Sequence, residues 1–427
     1  MHHGHAMIAF YFGVLQLLLV ASQNSSLCSV HLKPDSISII ENVMTSGSIE
    51  IRSFDQLSDR NFSDFKLQSD SSWTAVDNIS LRENGSSRFL EFSVYGRRLG
   101  RDSITINFGS VNGCNVTRSR LGVTVLRDSP SYEIIFVVTV AVFIGLNSFF
   151  MGTQIELEKL WKTLKKPIGP AFTIFTQFGI MPAISLGLCY LLLTDSSHIQ
   201  LGLLAVGVSP AGAMSNFWTV LFDGNLDLSV ALTVTSTIAA LGFVPFWLLT
   251  VGEKVIAKGT QIQIPFVNIL SALFLLVIPM GLGIWISQKW PGFRDYVKYI
   301  IKITSILFCT FIAIGGTTLK HYVFSLFTFR RIVSGMLLPW LGFSFAYFGA
   351  YLLRFSAEDM RTVAIETGVQ NAGLAMVIIE TALPHPDYDI VIVIPAISMM
   401  FTFTPFSCML ALYRIKLCIN KRCASSK

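Results

Sequence analysis

From Ser131 onward the sequence consists of long apolar runs separated by short polar gaps, and this pattern restricts the possible folds more than any other feature. An α-helix needs about 20 apolar residues to cross roughly 30 Å of hydrocarbon at 1.5 Å per residue. The runs that approach this length are Ile134–Thr153, Ile168–Leu193, Leu201–Leu221, Leu226–Val251, Phe266–Ile286, Ile300–Leu319, Ile332–Leu353, Thr362–Leu383 and Ile390–Leu412. The sequence therefore predicts a mainly α, polytopic membrane domain of about nine helices at residues 131–415, followed by a cytosolic tail at 416–427.

Composition supports the same class of protein. The 427-residue chain is 52% hydrophobic and only 14% charged, whereas average globular domains are about 25% charged. A soluble chain of this length could not cover its surface with so few charges. We also find no nucleophile–base grouping, metal-ligand cluster or phosphate-binding loop in the sequence, so we predict that the protein is not an enzyme.

The N-terminus has the pattern of a signal peptide. Met7–Val20 is an apolar run of about fourteen residues, which is too short to span a bilayer. Small residues follow it, and Val20-Ala21-Ser22 fits a cleavage site. We therefore assign residues 1–22 to a signal peptide. The alternative is an uncleaved anchor helix, because histidines precede the run where Lys or Arg is usual.

The polar segment that follows shows the period-two alternation of strands. Apolar and polar residues alternate in Leu90–Val94, Ile104–Phe108 and Leu121–Val125. Gly96 and Gly100 lie between the first two runs, as they would in a hairpin. This pattern predicts a small all-β domain, a β-sandwich in front of the membrane domain.

Residues 23–130 are predicted to form this domain outside the cell. Cys28 and Cys114 lie near its two ends and are expected to form a disulfide in an oxidising compartment. We interpret the domain as a folded, glycosylated cap, and the alternative is a ligand-binding or adhesion module. It holds five N-glycosylation sequons, at Asn24, Asn61, Asn78, Asn84 and Asn115.

The net charge of +6 follows membrane topology. With the N-terminal domain outside, the odd-numbered gaps between spans face the cytosol. Those gaps and the tail hold Lys159, Lys162, Lys165, Lys166, Lys289, Arg294, Lys298, Lys302, Arg354, Arg361, Arg414, Lys416, Lys421, Arg422 and Lys427. The outer gaps hold only five basic residues: Lys254, Lys258, Lys320, Arg330 and Arg331. They also hold three histidines that we expect to be solvated: His198, His321 and His385. This positive-inside asymmetry predicts a cytosolic C-terminus, and it accounts for the basic excess without a nucleic-acid partner. We expect a multi-pass protein of the plasma membrane.

Two of the predicted spans are poor membrane helices. The third contains Pro210 between Gly207 and Gly212, and a proline inside a helix loses a backbone hydrogen bond and clashes with the preceding turn. The eighth contains Glu366 and Gly368. Backbone groups freed at membrane depth are tolerated only beside protein or a watery cavity. Glu366 is the only acid near the middle of a span, and such an acid is a functional candidate.

The two interrupted spans lie in different halves of the bundle, which is typical of secondary transporters with inverted repeats. The alternative is a pair of kinks whose polar residues join helices. Ser229 and Thr233 lie one turn apart on the fourth span and share a face. Gln177 on the second span needs a hydrogen-bond partner if it is buried.

Four stretches carry a resemblance to a known family, namely KKPIGPAFTIFTQFGIMP, SPAGAMSN, GNLDLSVALTVTST and ETGVQN. They resemble the bile acid:sodium symporter family, solute carrier family 10. The resemblance covers Ile134 to Leu412, and the N-terminal domain is similar to that of the long-ectodomain members such as the P-three-protein-like subgroup.

The resemblance implies a core domain, a panel domain and two sodium ions bound where two unwound helices cross. It assigns the first sodium ion to Ser215, Asn216, Ser229, Thr233 and Glu366. It assigns the second to Gln177, Glu366, Gln370 and the backbone carbonyls of Thr367 and Val369. It places the substrate near Pro210, Gly212, Gly368 and Asn371. Oxygen ligands of this kind suit a hard cation. The chain departs from the family pattern at Ala211 and at Ala213-Met214, which leaves the substrate open.

Two sodium ions against one carboxylate would leave about one positive charge, which favours an anionic substrate in a low-dielectric site. The sequence thus predicts sodium-coupled symport of an organic anion by alternating access. A bile salt, a sulfated steroid or a similar amphipathic anion would fit. Two alternatives stay open: a proton-coupled carrier using Glu366, and a non-transporting receptor or adhesion protein anchored in the bilayer by the helix bundle.

Overall fold

The chain divides into two compact units, at residues 1–129 and 130–427. In the computed structural model the described residues run from 31 to 415. The description has gaps at residues 34–35, 43, 53–64, 70–73, 85–86, 109–116, 128–131, 195, 213, 259–261, 319, 321, 403, 405–406, 409–410 and 413–414. The predicted signal peptide, both residues of the predicted disulfide and three of the sequon asparagines lie outside the described residues: Cys28, Cys114, Asn24, Asn61 and Asn115.

The described part of the first unit contains two four-stranded sheets. The strands are β1 (His31–Lys33), β2 (Ser36–Ile40), β3 (Met44–Arg52), β4 (Phe65–Ser69), β5 (Thr74–Asn84), β6 (Ser87–Gly96), β7 (Gly100–Phe108) and β8 (Thr117–Leu126). One sheet has the order β1-β3-β6-β5 and the other the order β2-β8-β7-β4. The neighbours β2 and β8 run parallel, and the other pairs are antiparallel.

Apolar side chains from both sheets form one core. Leu90 and Val94 of β6, Ile104 of β7 and Leu121 of β8 are fully buried and belong to the same cluster as Ile39 of β2. The alternation read from the sequence therefore corresponds to the inward faces of a small β-sandwich, and that part of the fold prediction is confirmed.

The predicted hairpin between β6 and β7 is wrong. These strands belong to different sheets, so the chain between them crosses the sandwich. Gly96 lies at this crossing, where a Cβ would stand 3.2 Å from Ile39 Cδ1 in the opposite sheet. Gly100 has a φ of 137°, which residues with a side chain rarely adopt. The two glycines thus permit a sheet-to-sheet connection.

The second unit is helical. Its elements are α1 (Tyr132–Gln154), α2 (Leu157–Leu164), α3 (Ile168–Phe175), a π-helical turn (Thr176–Ile180), α4 (Met181–Leu192), α5 (Ser197–Gly207), α6 (Met214–Leu221), α7 (Leu226–Trp247), a π-helical segment (Leu248–Ile256), α8 (Phe266–Lys289), α9 (Phe293–Thr318), α10 (Tyr322–Ser325), α11 (Phe329–Leu352), α12 (Ala357–Gly368), α13 (Ala372–Ala382), α14 (Asp387–Val391) and α15 at residues 393–402.

Within the described residues, six helical segments are long and apolar enough to cross a membrane. They match the first, second, fourth, fifth, sixth and seventh predicted spans. The third and eighth predicted spans are each divided into two short helices, α5 with α6 and α12 with α13. The structure therefore agrees with a polytopic membrane protein that contains two broken helices.

Helix α1 packs closely along α8, and both contact α9. A Cβ at Gly152 of α1 would overlap the Met280 carbonyl, and a Cβ at Gly283 of α8 would overlap the Phe149 carbonyl. Small residues let two membrane helices approach until their backbones touch. This group of helices lies beside the helices that carry the two breaks.

Candidate functional site at the helix crossing

The two helix breaks meet and satisfy each other's backbone groups. The Gly212 amide, between α5 and α6, donates to the Val369 carbonyl at 2.9 Å. The Asn371 amide, between α12 and α13, donates to the Pro210 carbonyl at 3.0 Å. Unpaired amides and carbonyls are very costly inside a bilayer. The pairing of the breaks therefore explains how both interruptions are tolerated at membrane depth.

Two positions at the crossing leave little room for a side chain. Ala211 and Gln370 are partners in an isolated antiparallel bridge. A Cβ at Gly212 would lie 3.3 Å from the Gln370 carbonyl oxygen, and a Cβ at Gly368 would lie 3.0 Å from Phe343 Cβ. The residues predicted to lie near the substrate thus form the backbone of the crossing itself.

A cluster of hydroxyls surrounds the carboxylate of Glu366, which is fully buried. Ser229 Oγ donates to Oε2 at 3.0 Å, and Thr233 Oγ1 donates to Oε1. Ser215 lies beside the same carboxylate, although its hydroxyl has no hydrogen bond of regular geometry with any described residue. Among the interactions of the described residues, no basic side chain pairs with Glu366.

Helix geometry brings these groups together. Ser229 and Thr233 are four residues apart on α7, so both hydroxyls face the last turn of α12, where Glu366 lies. The C-terminal end of a helix carries a partial negative charge. A carboxylate in that turn adds to the negative potential, so the site favours a cation.

A second cluster of polar groups is built around two glutamines. Gln177 Nε2 donates to the Ser209 carbonyl at 2.6 Å and to Gln370 Oε1 at 2.7 Å. Gln370 Nε2 donates to the Thr367 carbonyl at 2.7 Å. These contacts link the second span to both breaks, and they bring together Gln177 and Gln370, which the family resemblance assigns to one ion site.

A proline and a tryptophan shape the helix that carries Gln177. Pro182 has no amide hydrogen, and the helix widens into the π-helical turn just before it. The Phe178 carbonyl within that turn accepts a hydrogen bond from Trp247 Nε1 at 2.9 Å. The turn is therefore stabilised from α7, the helix that also carries Ser229 and Thr233.

Three buried oxygens at the crossing lack a donor among the described residues: Ser215 Oγ, Asn216 Oδ1 and Gln177 Oε1. A buried acceptor without a donor is unfavourable, and a bound cation would satisfy it. Among the described residues, the Thr367 carbonyl accepts one hydrogen bond from Gln370 Nε2, and the Val369 carbonyl accepts one from the Gly212 amide. A carbonyl oxygen has two lone pairs, so each keeps one.

Other predicted residues are placed differently. Among the described residues, no hydrogen bond joins Asn216 to Glu366. Asn371 Oδ1 accepts from the Leu374 amide at 3.0 Å and caps α13. Asn78 and Asn84 lie on β5.

Two hydroxyls at the site were not singled out from sequence. Thr219 Oγ1 donates to Ser229 Oγ at 3.2 Å, and Thr176 Oγ1 lies 3.0 Å from Thr367 Oγ1. Thr219 follows Ser215 by four residues on α6, so the same-face rule would have identified it. Thr176 lies in the π-helical turn, which the sequence analysis did not predict.

Two outer histidines that were expected to be solvated are only partly exposed, and each has an acidic partner. His198 Nε2 lies 3.2 Å from Asp387 Oδ1, and His385 Nδ1 lies 2.8 Å from Asp389 Oδ2. Both acids are buried. A buried carboxylate needs a hydrogen-bond partner, and these imidazoles provide one at the start of α14. His321 lies outside the described residues.

Comparison with known proteins identifies the family. The model of the sodium bile acid symporter family matches residues 141–325. A sodium-dependent organic anion transporter of Bos taurus is 33% identical over 264 residues, which are 60% of this chain and 67% of the relative. The chain belongs to the sodium bile acid symporter family. An ileal sodium/bile acid cotransporter of Mus musculus is 31% identical over 276 residues, which are 64% of this chain and 77% of the relative.

Membership confirms the resemblance drawn from the sequence motifs. The family is one of transporters, and sodium is the coupling ion that its name implies. The region matched by the family model includes α6 and α7 with Ser215 and Ser229, whereas Glu366 lies beyond its end at residue 325.

Proposed function

We propose that this protein is a sodium-coupled symporter of an organic anion that works by alternating access. The observation that carries the proposal is the environment of Glu366. This carboxylate is fully buried at the crossing of two broken helices, and it receives hydrogen bonds from Ser229 and Thr233. A buried negative charge with only hydroxyl partners is best balanced by a small cation.

Two sodium ions are proposed, with Glu366 shared between them. The first would bind Ser215, Asn216, Ser229, Thr233 and Glu366. The second would bind Gln177, Glu366, Gln370 and the carbonyls of Thr367 and Val369. The buried acceptors of Ser215, Asn216 and Gln177 support this assignment, because they lack donors among the described residues.

Charge balance supports an anionic substrate and suggests how transport is coupled. Two sodium ions and one carboxylate leave one positive charge, and an organic anion beside the crossing would bring the total to zero. Moving a net charge through a low-dielectric region is unfavourable. The crossing would therefore change its exposure to the two sides most readily when fully loaded. A bile salt, a sulfated steroid or a similar amphipathic anion is the proposed substrate, bound near Pro210, Gly212, Gly368 and Asn371.

The proposed topology follows from sequence. A signal peptide at residues 1–22 would be removed, and residues 23–130 would lie outside the cell with a disulfide between Cys28 and Cys114 and glycans on the sequon asparagines. The C-terminus would lie in the cytosol, with the protein in the plasma membrane. The bias of basic residues toward the cytosolic gaps supports this orientation.

Uptake measurements test the proposal. Cells expressing the full chain are given a radiolabelled steroid sulfate or a radiolabelled bile salt, in sodium chloride and in choline chloride. We expect uptake in sodium and only background uptake in choline. Glu366→Gln should lower sodium-dependent uptake at least about tenfold, because the amide removes a charge that holds several buried groups. Glu253→Gln serves as the control, since Glu253 lies at the opposite end of the fourth span from Ser229 and Thr233.

Other outcomes would identify the alternatives. Uptake that is equal in choline and rises with an inward proton gradient would replace sodium with a proton. A protein that reaches the cell surface, takes up neither probe and shows the same absence of uptake after Glu366→Gln would contradict symport. That result would favour a receptor or adhesion role.

A further inference from the structure

A relay of hydroxyls extends from Glu366 to a residue outside the proposed ligand set. Ser229 Oγ donates to Glu366 Oε2 at 3.0 Å, and Thr219 Oγ1 donates to Ser229 Oγ at 3.2 Å. The three side chains are fully buried. A carboxylate only accepts hydrogen bonds, so the single Ser229 proton points to Glu366 and the second bond must be donated by Thr219.

We infer that Thr219 is a positioning residue of the sodium site, because it fixes the hydroxyl of Ser229. A serine oxygen has two lone pairs. One accepts the Thr219 proton, and the other stays available to a cation. Without Thr219, the Ser229 hydroxyl could turn to other partners, so the ion would have to order it on binding. This inference rests on the proposed function of Ser229 as a sodium ligand.

The tight turn after α6 holds Thr219 in place. The Gly224 amide donates to the Thr219 carbonyl at 2.8 Å. A Cβ at Gly224 would lie only 2.9 Å from Thr219 Cγ2, so the turn packs directly against the methyl group. A β-branched side chain has few χ1 rotamers, and fixing the methyl group therefore also fixes the direction of the hydroxyl.

The same turn joins the helices that carry the relay. Asn225 caps α7, its amide donates to Thr362 Oγ1 at 2.8 Å, and its Nδ2 donates to Asp359 Oδ1 at 2.9 Å. Thr362 lies one turn before Glu366 on α12. Helices α6, α7 and α12 are thus connected at one point, close to the residues that form the relay.

Three variants of the full chain test the role of Thr219. Thr219→Val removes the hydroxyl and keeps the branched shape, whereas Thr219→Ser keeps the hydroxyl and removes the methyl group. Thr402→Val is the matched control, because the buried Thr402 hydroxyl donates to the Ser398 carbonyl of its own helix at 2.6 Å. Should Thr219→Val give no folded protein, Thr219→Ala takes its place.

Two measurements give the sodium dependence. One is the rise in melting temperature of the purified protein in detergent as sodium replaces choline, which needs no substrate. The other is uptake of a radiolabelled steroid sulfate as a function of sodium. We expect Thr219→Val to raise the half-saturating sodium concentration about three- to tenfold, the range set by loss of one hydrogen bond. The KM for the steroid sulfate at saturating sodium should change less than about twofold.

Thr219→Ser keeps the donor but loses the methyl group that packs against the turn, so it should raise the half-saturating sodium concentration less than Thr219→Val does. Thr402→Val should match the wild type. An unchanged half-saturating sodium concentration in folded Thr219→Val would overturn the inference, as would equal damage from Thr219→Ser and Thr219→Val. A wild-type protein that shows no sodium dependence in either measurement would instead refute the proposed function.

Discussion

Lys320 and Glu380 form a buried ion pair whose disruption should strongly destabilise the helical unit. Their Nζ and Oε1 atoms are 2.8 Å apart, and each side chain is only 4% exposed. Lys320 Nζ also lies 5.8 Å from the ring centroid of Phe136 and 5.5 Å from that of Tyr388. The lysine therefore joins α1 to the segments around α13 and α14.

The expected effect of Lys320→Met can be estimated from this geometry. Removing one partner of a buried ion pair costs about 3–5 kcal/mol, because the remaining charge loses the attraction of that partner and stays desolvated. The melting temperature of a large domain falls roughly 2 °C per kcal/mol. We therefore expect Lys320→Met to melt about 6–10 °C below the wild type.

The assay heats the full chain, fused to a fluorescent protein, in mild detergent and measures the soluble fraction by size-exclusion chromatography. Lys162→Met is the control, because the Lys162–Glu158 pair has a similar distance of 2.7 Å but side chains 72% and 81% exposed. Exposed ion pairs contribute little to stability, so Lys162→Met should melt at the same temperature as the wild type. Adding Glu380→Gln to Lys320→Met should recover part of the loss, since it removes the buried charge. The reasoning would be refuted if Lys320→Met had the same melting temperature as the Lys162→Met control. It would also be refuted if the double variant had a lower melting temperature than Lys320→Met.

Two further predictions concern the crossing and the N-terminal domain. Gly212→Val should abolish sodium-dependent uptake at a normal surface level measured by biotinylation, because a Cβ there would already lie 3.3 Å from the Gln370 carbonyl oxygen; retained uptake would show that the crossing can widen. Replacing all sequon asparagines with glutamine should give the same gel mobility as glycosidase-treated wild type, and a mobility equal to untreated wild type would place the domain outside the secretory pathway. The asparagines are Asn24, Asn61, Asn78, Asn84 and Asn115.

Local signals in the sequence predicted the position of the breaks and the central acid. Pro210 and the neighbouring glycines interrupt helix formation through their own backbone chemistry, so the third span could be identified without tertiary information. Glu366 is conspicuous because the surrounding sequence is apolar. Ser229 and Thr233 could be assigned to one face, since helix periodicity alone determines it.

Contacts between distant parts of the chain could not be predicted in the same way. The bond from the Gly212 amide to the Val369 carbonyl joins the two halves of the helical unit, and no local pattern specifies such a pairing. The prediction of a hairpin between β6 and β7 was wrong for a related reason. A glycine pair between two strands is compatible with a hairpin or with a sheet-to-sheet crossing, and partner strands elsewhere decide which one forms.

The pairing of the breaks also links the two polar clusters of the crossing. Gln370 forms the backbone bridge with Ala211, and its side chain contacts Gln177 and the Thr367 carbonyl. Glu366 lies one residue before Thr367, in the same helical turn. In the proposed mechanism, an ion that reorients Gln370 would therefore shift the backbone next to the carboxylate that both ions share. Rigid, paired backbone at the crossing would make the two adjoining ion sites one coupled unit, which is what a symporter needs in order to move only when loaded.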